Sequence, residues 1–254
     1  MKRMYSTKLS RYAVIALAIT AGTLLLQSCQ KSFDKKLAAD YYTGNGSTLQ
    51  VFVGTVGASR NYVYVDGNPV NGSALSTGNL FPGTGFGFAV KSGLRTMMVR
   101  DTLSTTTQTA LVFAQNFDNG NNYMVFTFDT ITSPKQKTVR TPITIPTDTT
   151  CRVRFANFAY NGVAETPAID VVSLGKNEIV ATNLKYTDVT DFIVHPSRIG
   201  TEAFQIRLAG TTTVLATSTV STLLPQRSYT VVYRGSHRAT SGTSIRAATL
   251  VVNY

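Results

Sequence analysis

Short stretches in which hydrophobic and polar residues alternate recur along most of the chain. The clearest is CRVRF at 151–155, where every second residue is apolar and the others are arginines. A period of two predicts a β-strand with one buried face. We therefore expect Cys151, Val153 and Phe155 to face a core, and the side chains of Arg152 and Arg154 to lie on the polar face.

Runs rich in Val, Ile, Thr, Tyr and Phe are separated by Gly, Asn, Pro and Ser, which is typical of short strands joined by turns. No long segment after residue 29 has the 3.6-residue period of a helix. The sequence therefore predicts an all-β sandwich or barrel. The strands are expected at residues 49–53, 62–65, 86–90, 96–100, 110–114, 123–129, 151–155, 169–174, 190–194, 203–208, 214–219, 229–234 and 247–253.

The first 28 residues have a different pattern. They begin with four basic residues and no acidic one, and an uncharged apolar run follows at 13–26. That run is shorter than the roughly 20 residues that a membrane-spanning helix needs. A basic start, a short apolar run and a small residue, Ser28, are the pattern of a secretory signal peptide.

The end of this segment, LLLQSC at 24–29, resembles the lipobox of a bacterial lipoprotein. The resemblance implies cleavage after Ser28 and lipid attachment to Cys29. An ordinary secretory signal followed by a chance cysteine, or a short anchor helix, remains the alternative. Gln30, directly after this cysteine, resembles the residue at that position in lipoproteins that are sorted to the outer membrane. We expect a lipid-anchored protein of the cell envelope, in either leaflet of the outer membrane, with residues 29–48 as a flexible tether.

The two halves of the mature chain resemble each other. VFV at 51–53 matches VRF at 153–155, YVYVDG at 62–67 matches DVVSLG at 170–175, FAV at 88–90 matches FIV at 192–194, and YMVF at 123–126 matches YTVV at 229–232. The offsets are 102, 108, 104 and 106 in the same order, which indicates a tandem duplication. We predict β-sandwich domains at 49–133 and 151–254. The proline-containing segment 134–150 is a stiff linker or an edge segment.

The second half also carries a family pattern, with RVRFAN at 152–157, PAIDVV at 167–172, NLKY at 183–186, DFIV at 191–194, IRLAG at 206–210, TVLA at 213–216 and YTVV at 229–232. It resembles the domain-of-unknown-function family 4397 of bacterial secreted proteins and Bacteroidetes lipoproteins. The first half departs from that pattern, since Tyr62 stands where the second half has Asp170. The resemblance implies two tandem immunoglobulin-like β-sandwich domains. It implies no activity and no catalytic residues.

The charge bears on whether the protein binds nucleic acid, and the cysteine content on whether it forms disulfides. The chain has 24 Lys and Arg against 13 Asp and Glu, a net charge of +11, and removal of the four positive charges of the signal peptide leaves +7. These charges are scattered, so we predict no nucleic-acid partner. The chain has only two cysteines. If Cys29 carries lipid, Cys151 has no disulfide partner and acts as a small buried hydrophobe.

The sequence contains little that predicts catalysis. Its two histidines, His195 and His237, do not belong to an HExxH or His-x-His pattern, and no CxxC occurs. Asp188 and Asp191 lie near His195 in sequence, which leaves a Ser–His–Asp triad open, but no GxSxG elbow is present. The glycine-rich GTGFGF at 83–88 lacks GxGxxG spacing and indicates a bend or bulge. We predict no enzyme, no metal ion and no cofactor.

Three Asp-Thr pairs resemble the acceptor of Bacteroidetes envelope O-glycosylation, which makes Thr102, Thr130 and Thr149 candidate sites. Four tyrosines are candidates for stacking on a glycan or a protein partner: Tyr41, Tyr42, Tyr62 and Tyr64. We expect a non-enzymatic adhesion or binding module with a protein or glycan ligand. The alternatives are a structural accessory subunit of an outer-membrane assembly for uptake, pilus formation or gliding, and an unrecognised hydrolase.

Overall fold

The computed structural model describes residues 45–85, 87–162 and 164–254. The predicted signal peptide, Ser28, Cys29, Tyr41, Tyr42 and all but the end of the predicted tether lie outside these residues. What is described is all-β and forms one compact unit. In this part of the chain, no helix has the length and apolar character needed to cross a bilayer.

The first half forms two sheets. In one sheet the strand order is β4-β1-β8-β9, with β5 also paired to β1, and in the other it is β3-β2-β6-β7. The strands are β1 (Gly46–Val53), β2 (Asn61–Val65), β3 (Asn68–Pro69), β4 (Leu80–Phe81), β5 (Phe88–Lys91), β6 (Gly93–Asp101), β7 (Leu111–Phe117), β8 (Asn122–Thr130) and β9 (Ser133–Arg140).

The second half repeats this arrangement. Its sheets have the orders β13-β10-β18-β19 and β12-β11-β15-β16, and β14 and β17 form a separate two-stranded ribbon. The strands are β10 (Thr150–Asn157), β11 (Ile169–Ser173), β12 (Glu178–Leu184), β13 (Ile193–Pro196), β14 (Arg198–Glu202), β15 (Phe204–Leu208), β16 (Val214–Thr217), β17 (Ser221–Leu223), β18 (Ser228–Arg234) and β19 (Ala247–Val252).

Each half encloses its own core, because the alternating apolar residues of its two sheets face each other. In the first half, Leu49 and Val125 of one sheet belong to the same cluster as Val63 and Met97 of the other. In the second half, Cys151, Val153 and Phe155 are buried together, as the alternation at 151–155 predicts. The prediction of an all-β sandwich fold is confirmed.

The strand register relates the two halves residue by residue. β1 runs parallel to β8 and β10 runs parallel to β18, with Leu49 opposite Tyr123 and Val153 opposite Tyr229. Leu49 therefore corresponds to Val153, an offset of 104. The offset of 102 predicted for this strand is wrong by two residues. Because side chains alternate with a period of two, the two-residue error leaves each matched residue on its predicted face.

A third core joins the halves. It contains Phe52, Met124, Phe126 and Phe128 from the first half and Ala156, Phe158, Val232 and Val251 from the second. The rings of Phe126 and Phe158 are stacked with their centroids 4.6 Å apart. Strand β8 is consequently buried on both faces, which explains its nearly unbroken hydrophobic run, YMVFTF at 123–128.

The proline-containing segment has two parts. Ser133–Arg140 is strand β9, which pairs antiparallel with β8 at the edge of its sheet. Of the two predictions for 134–150, the edge segment therefore applies up to Arg140. The connector to the second half begins at Thr141 and ends before Thr150, where β10 starts.

Candidate functional site

Arg154 is not on a solvated polar face, and this part of the strand prediction is wrong. Its side chain is 1% exposed, because the face of β10 that points away from its own core packs against the first half. Its Nε donates a hydrogen bond to Thr230 Oγ1 at 2.9 Å, and its Nη2 donates to Thr141 Oγ1 at 3.0 Å. The guanidinium also lies over the ring of Phe192, 4.7 Å from its centroid.

Burial lowers the pKa of Arg154 to about 9, and the carboxylate of Asp191 opposes this shift. The guanidinium therefore remains cationic at neutral pH. A hydrogen-bonded network continues from it across the junction. Thr230 Oγ1 donates to Asn253 Oδ1 at 2.5 Å, and Asn253 Nδ2 donates to Gln50 Oε1 at 2.9 Å. The halves are thus joined by polar as well as aromatic contacts.

Beside this junction lies a cleft of about 510 Å³. Its first wall comes from the turn between β8 and β9, and its second from the loop after β10 and from the residues that follow β12. The cleft is lined by Asp129, Thr130, Ser133, Lys135, Tyr160, Gly162, Ala164, Glu165, Thr166, Lys185 and Tyr186.

The first wall is organised by Asp129. This buried residue adopts a φ of 71°, a left-handed conformation that is uncommon outside glycine. Its carboxylate pairs with Lys135 Nζ at 2.7 Å, and this hydrogen bond and charge raise the pKa of Lys135. The exposed ammonium group is therefore fixed over a buried carboxylate at the edge of the cleft.

The second wall is held by short-range hydrogen bonds. Asn161 Nδ2 donates to the carbonyl of Glu165 at 2.8 Å, and Thr166 Oγ1 donates to the carbonyl of Ala159 at 3.2 Å. The ring of Tyr186 packs edge-on against Phe128 of the third core, with centroids 5.8 Å apart. Because core contacts position this tyrosine, its location is fixed before any ligand arrives.

The hydroxyl group of Tyr186 is buried and, among the residues that the structure describes, has no hydrogen-bond partner. Burial raises the pKa of this phenol, and the charge of Asp129 adds to the effect, so the group is a neutral O–H at physiological pH. A buried polar group without a partner is uncommon in a folded protein. It indicates a position where a ligand or a water could bind.

His195 lies in a second polar cluster, in the core of the second half. Its Nε2 is 3.3 Å from Ser173 Oγ and 3.5 Å from Glu202 Oε2, and its Nδ1 donates to the carbonyl of Pro196 at 2.8 Å. In a catalytic triad the serine and the acid contact opposite ring nitrogens, whereas here both contact the same one. All three side chains are buried, so no substrate could reach them.

The other histidine and the aspartates proposed for a triad are elsewhere. His237 Nδ1 accepts or donates a bond to the hydroxyl of Tyr233 at 3.0 Å. The carboxylate of Asp188 accepts a hydrogen bond from the backbone N–H of Lys185. The charge of Asp191 acts on the pKa of Arg154 instead. The structure therefore groups His195 with Glu202 and Ser173, which the sequence spacing did not indicate.

Cys151 is a buried thiol within reach of the same cluster. Its Sγ donates to the carbonyl of His195 at 3.4 Å, and burial raises its pKa to about 11. The thiol is therefore protonated and unreactive at neutral pH. Within the described ranges, no three His, Cys, Asp or Glu side chains are grouped so that they could hold a metal ion.

The candidate glycosylation sites differ in accessibility. Thr102 and Thr149 are exposed, whereas Thr130 is half-buried, lines the cleft and shares a hydrogen bond with Thr132 at 3.1 Å. Of the tyrosines proposed for stacking, the two that the structure describes lie on β2, away from the cleft. Tyr62 faces Arg60 and Tyr64 faces Arg100.

Of the glycine-rich segment at 83–88, the structure describes residues 83–85 and 87–88, for which the composition predicts a bend or bulge. Both β4 and β5, on either side of it, pair with β1. Gly87 has a φ of 116°, and a Cβ there would lie 2.6 Å from the carbonyl oxygen of Leu49. Only glycine allows so close an approach.

The sequence pattern does not predict the cleft. Tyr186 stands in the NLKY run at 183–186, but Tyr160 belongs to no motif. Asp129 and Thr130 belong to an Asp-Thr pair that predicts glycosylation, and Asp129 also ends the predicted strand at 123–129. The comparisons with known proteins add no family or relative, since no family model matches the chain and no curated protein matches it significantly.

Proposed function

We propose that this protein is a non-enzymatic lipoprotein of the bacterial cell envelope. It is tethered to the outer membrane through lipidated Cys29 and binds a ligand in the cleft between two immunoglobulin-like modules. The observation that carries this proposal is the cleft itself, which both halves build and which contains a buried tyrosine hydroxyl without a partner. Clefts of about 300–1,000 Å³ are typical of small-ligand binding.

One contact that recurs in both halves supports the immunoglobulin-like assignment. The parallel pairing of β1 with β8 and of β10 with β18 shows only that the two halves share one topology. Tyr123 and Tyr229 each accept a backbone N–H five residues upstream, from Asp118 at 3.0 Å and from Leu224 at 2.8 Å. This contact resembles the tyrosine corner of immunoglobulin-like sandwiches.

A blocked cleft tests the binding function. Ala164 is exposed and lines the cleft, so Ala164→Trp fills the site without disturbing a core. We expect cells that produce this variant to lose attachment to glycan-coated and matrix-coated surfaces, while Ala114→Trp, on exposed β7, leaves attachment unchanged. Equal attachment of both variants would show that the cleft is not the binding site. A single stoichiometric partner in a crosslinked pull-down would instead favour the accessory-subunit function.

The anchor is tested on the mature protein. We expect its mass and N-terminal peptide to show an acylated Cys29, and Cys29→Ser to release the protein from the membrane fraction because a single stable anchor is lost. A mature protein that begins at a residue other than Cys29 and carries no acyl group would contradict the proposed lipid anchor. The same spectra would reveal glycans, which we expect at the exposed Thr102 and Thr149.

A further inference from the structure

We infer that the cleft binds a neutral saccharide, which stacks on both Tyr160 and Tyr186 and exchanges hydrogen bonds with the polar groups between them. This inference rests on the proposed function and specifies the ligand class of the same site. Neither the sequence pattern nor the family resemblance points to these residues as ligand contacts.

The aromatic surface is the first argument. Tyr160 from the loop after β10 and Tyr186 from the segment after β12 line one cleft, and both are half-buried. Tyrosine presents an apolar ring and a polar tip. A sugar ring has the matching character, with C–H groups on its faces and hydroxyls around its rim.

The buried hydroxyl of Tyr186 is the second argument. It can donate one hydrogen bond and accept others, and no residue among those described does either. A ligand hydroxyl is both a donor and an acceptor, so it can satisfy this group in either direction once the side chains that cover the tyrosine hydroxyl move aside. A purely apolar ligand would leave the group unsatisfied, which is unfavourable in a buried site.

Charge balance is the third argument. The cleft contains two carboxylates, Asp129 and Glu165, and two ammonium groups, Lys135 and Lys185. Because the signs cancel, the site has no net charge that would select an anion or a cation. Charged groups of both signs beside Thr130 and Ser133 instead supply donors and acceptors for hydroxyl groups.

The test uses the detergent-solubilised mature protein on a glycan array that carries neutral, sulfated and sialylated glycans. Affinity for the best neutral glycan is then measured by calorimetry. We expect binding to neutral glycans, with an affinity that changes less than about twofold when salt rises from roughly 0.05 to 0.5 M, because no net charge is neutralised.

Variants separate stacking from hydrogen bonding. Tyr160→Ala and Tyr186→Ala should each weaken binding at least about tenfold, and Tyr186→Phe, which keeps the ring in contact with Phe128, should weaken it several-fold. Tyr64→Ala is the control, since this half-buried tyrosine lies on β2 outside the cleft. Far-ultraviolet circular dichroism of each variant confirms that it is folded.

Three results would overturn the inference. They are exclusive binding of sulfated or sialylated glycans, binding that Tyr160→Ala and Tyr186→Phe leave unchanged, and the absence of glycan binding altogether. In each case, loss of attachment by Ala164→Trp would show that the cleft still functions and that only the ligand class is wrong. If Ala164→Trp has no effect on attachment, the proposed function itself fails.

Discussion

Arg154 occupies a position where a charged side chain is rarely found. It is the largest of the fully buried side chains, and its hydrogen-bond partners are the neutral groups of Thr230, Thr141 and Met124. Desolvation of an unpaired cation is unfavourable. The compensation comes from these bonds, from the ring of Phe192 and from the volume that the side chain fills at the junction of the halves.

This balance predicts how substitutions at 154 will rank. Arg154→Ala should lower the free energy of unfolding by about 3 kcal/mol, because it leaves a cavity and removes partners from two buried hydroxyls. Arg154→Met fills most of the volume without a charge and should cost less than about 1 kcal/mol. Urea denaturation measures both. Arg152→Ala, at a half-exposed position two residues earlier on the same face of the strand, is the control and should change little. If Ala and Met cost the same, the packing argument is wrong.

His195 predicts a pH dependence of stability. Burial lowers its pKa below the ordinary value of about 6.5, and Glu202 opposes this shift only in part. Above about pH 6.5 the ring is neutral in both the folded and the unfolded state, so its contribution is fully present there. As the pH falls below about 6.5, only the unfolded state takes up the proton, and stability is lost.

Denaturation at about pH 7.5, 6.5 and 5.5 measures this slope. His195→Gln should be less stable than the native protein at the highest pH, because a packed ring is lost, but its stability should fall less on acidification. His237→Gln, whose parent histidine also has a lowered pKa, should remove a separate part of the slope. An unchanged slope in His195→Gln would contradict the assignment.

At the scale of the strands, the alternation of residues predicts most of the fold. Every strand predicted from alternation overlaps an observed one, because a period of two is a local property that survives in any sandwich. The observed strands that alternation does not predict are two-residue pairs such as β3 and β4, edge strands such as β9 and β12, and the ribbon strands β14 and β17. Their pairing depends on a neighbouring strand rather than on their own sequence.

The cleft and the burial of Arg154 could not be predicted in this way. Both depend on which outer sheet faces pack together, and alternation assigns only an inner and an outer face to each strand. Tyr160 and Tyr186 are separated by two strands and meet the β8–β9 turn only in the assembled molecule. The unbroken hydrophobic run of β8 was the one local sign that its outer face is also covered.

The equivalence of the halves is testable through Tyr123 and Tyr229. Each hydroxyl accepts a backbone N–H at the same position relative to its strand. Tyr229→Phe should therefore lower the free energy of unfolding by about 1 kcal/mol, the typical net value of such a bond. Tyr123→Phe should cost at least as much, because this hydroxyl also donates to Asp118 Oδ2 at 3.1 Å. Tyr64 lies on β2, and its ring faces Arg100 of β6. Tyr64→Phe should have almost no effect. A measurable cost for only one of the two substitutions, in chemical denaturation, would argue against matched roles.

For the whole molecule, the third core predicts cooperative unfolding. Four apolar side chains from each half share this cluster, so neither half can unfold without exposing the apolar face of the other. We expect a single calorimetric transition for the mature protein, with equal calorimetric and van't Hoff enthalpies.

Phe158→Ala removes the ring that stacks on Phe126 at the centre of this core. It should lower the free energy of unfolding by about 3–5 kcal/mol and separate the transition into two. A variant that remains a single transition, with a loss below about 1 kcal/mol, would show that the halves are not coupled through this ring. Val112→Ala, at an exposed position of β7, serves as the control.

The stacked rings of Phe126 and Phe158 affect how the proposed cleft would bind a ligand. Phe126 precedes the β8–β9 turn on one wall, and Phe158 lies two residues before Tyr160 on the other, so both walls continue directly into one rigid aromatic joint. The two walls of the cleft are therefore connected through packed rings rather than through a flexible linker. Walls held in place in this way would reduce the entropy lost when the proposed ligand binds.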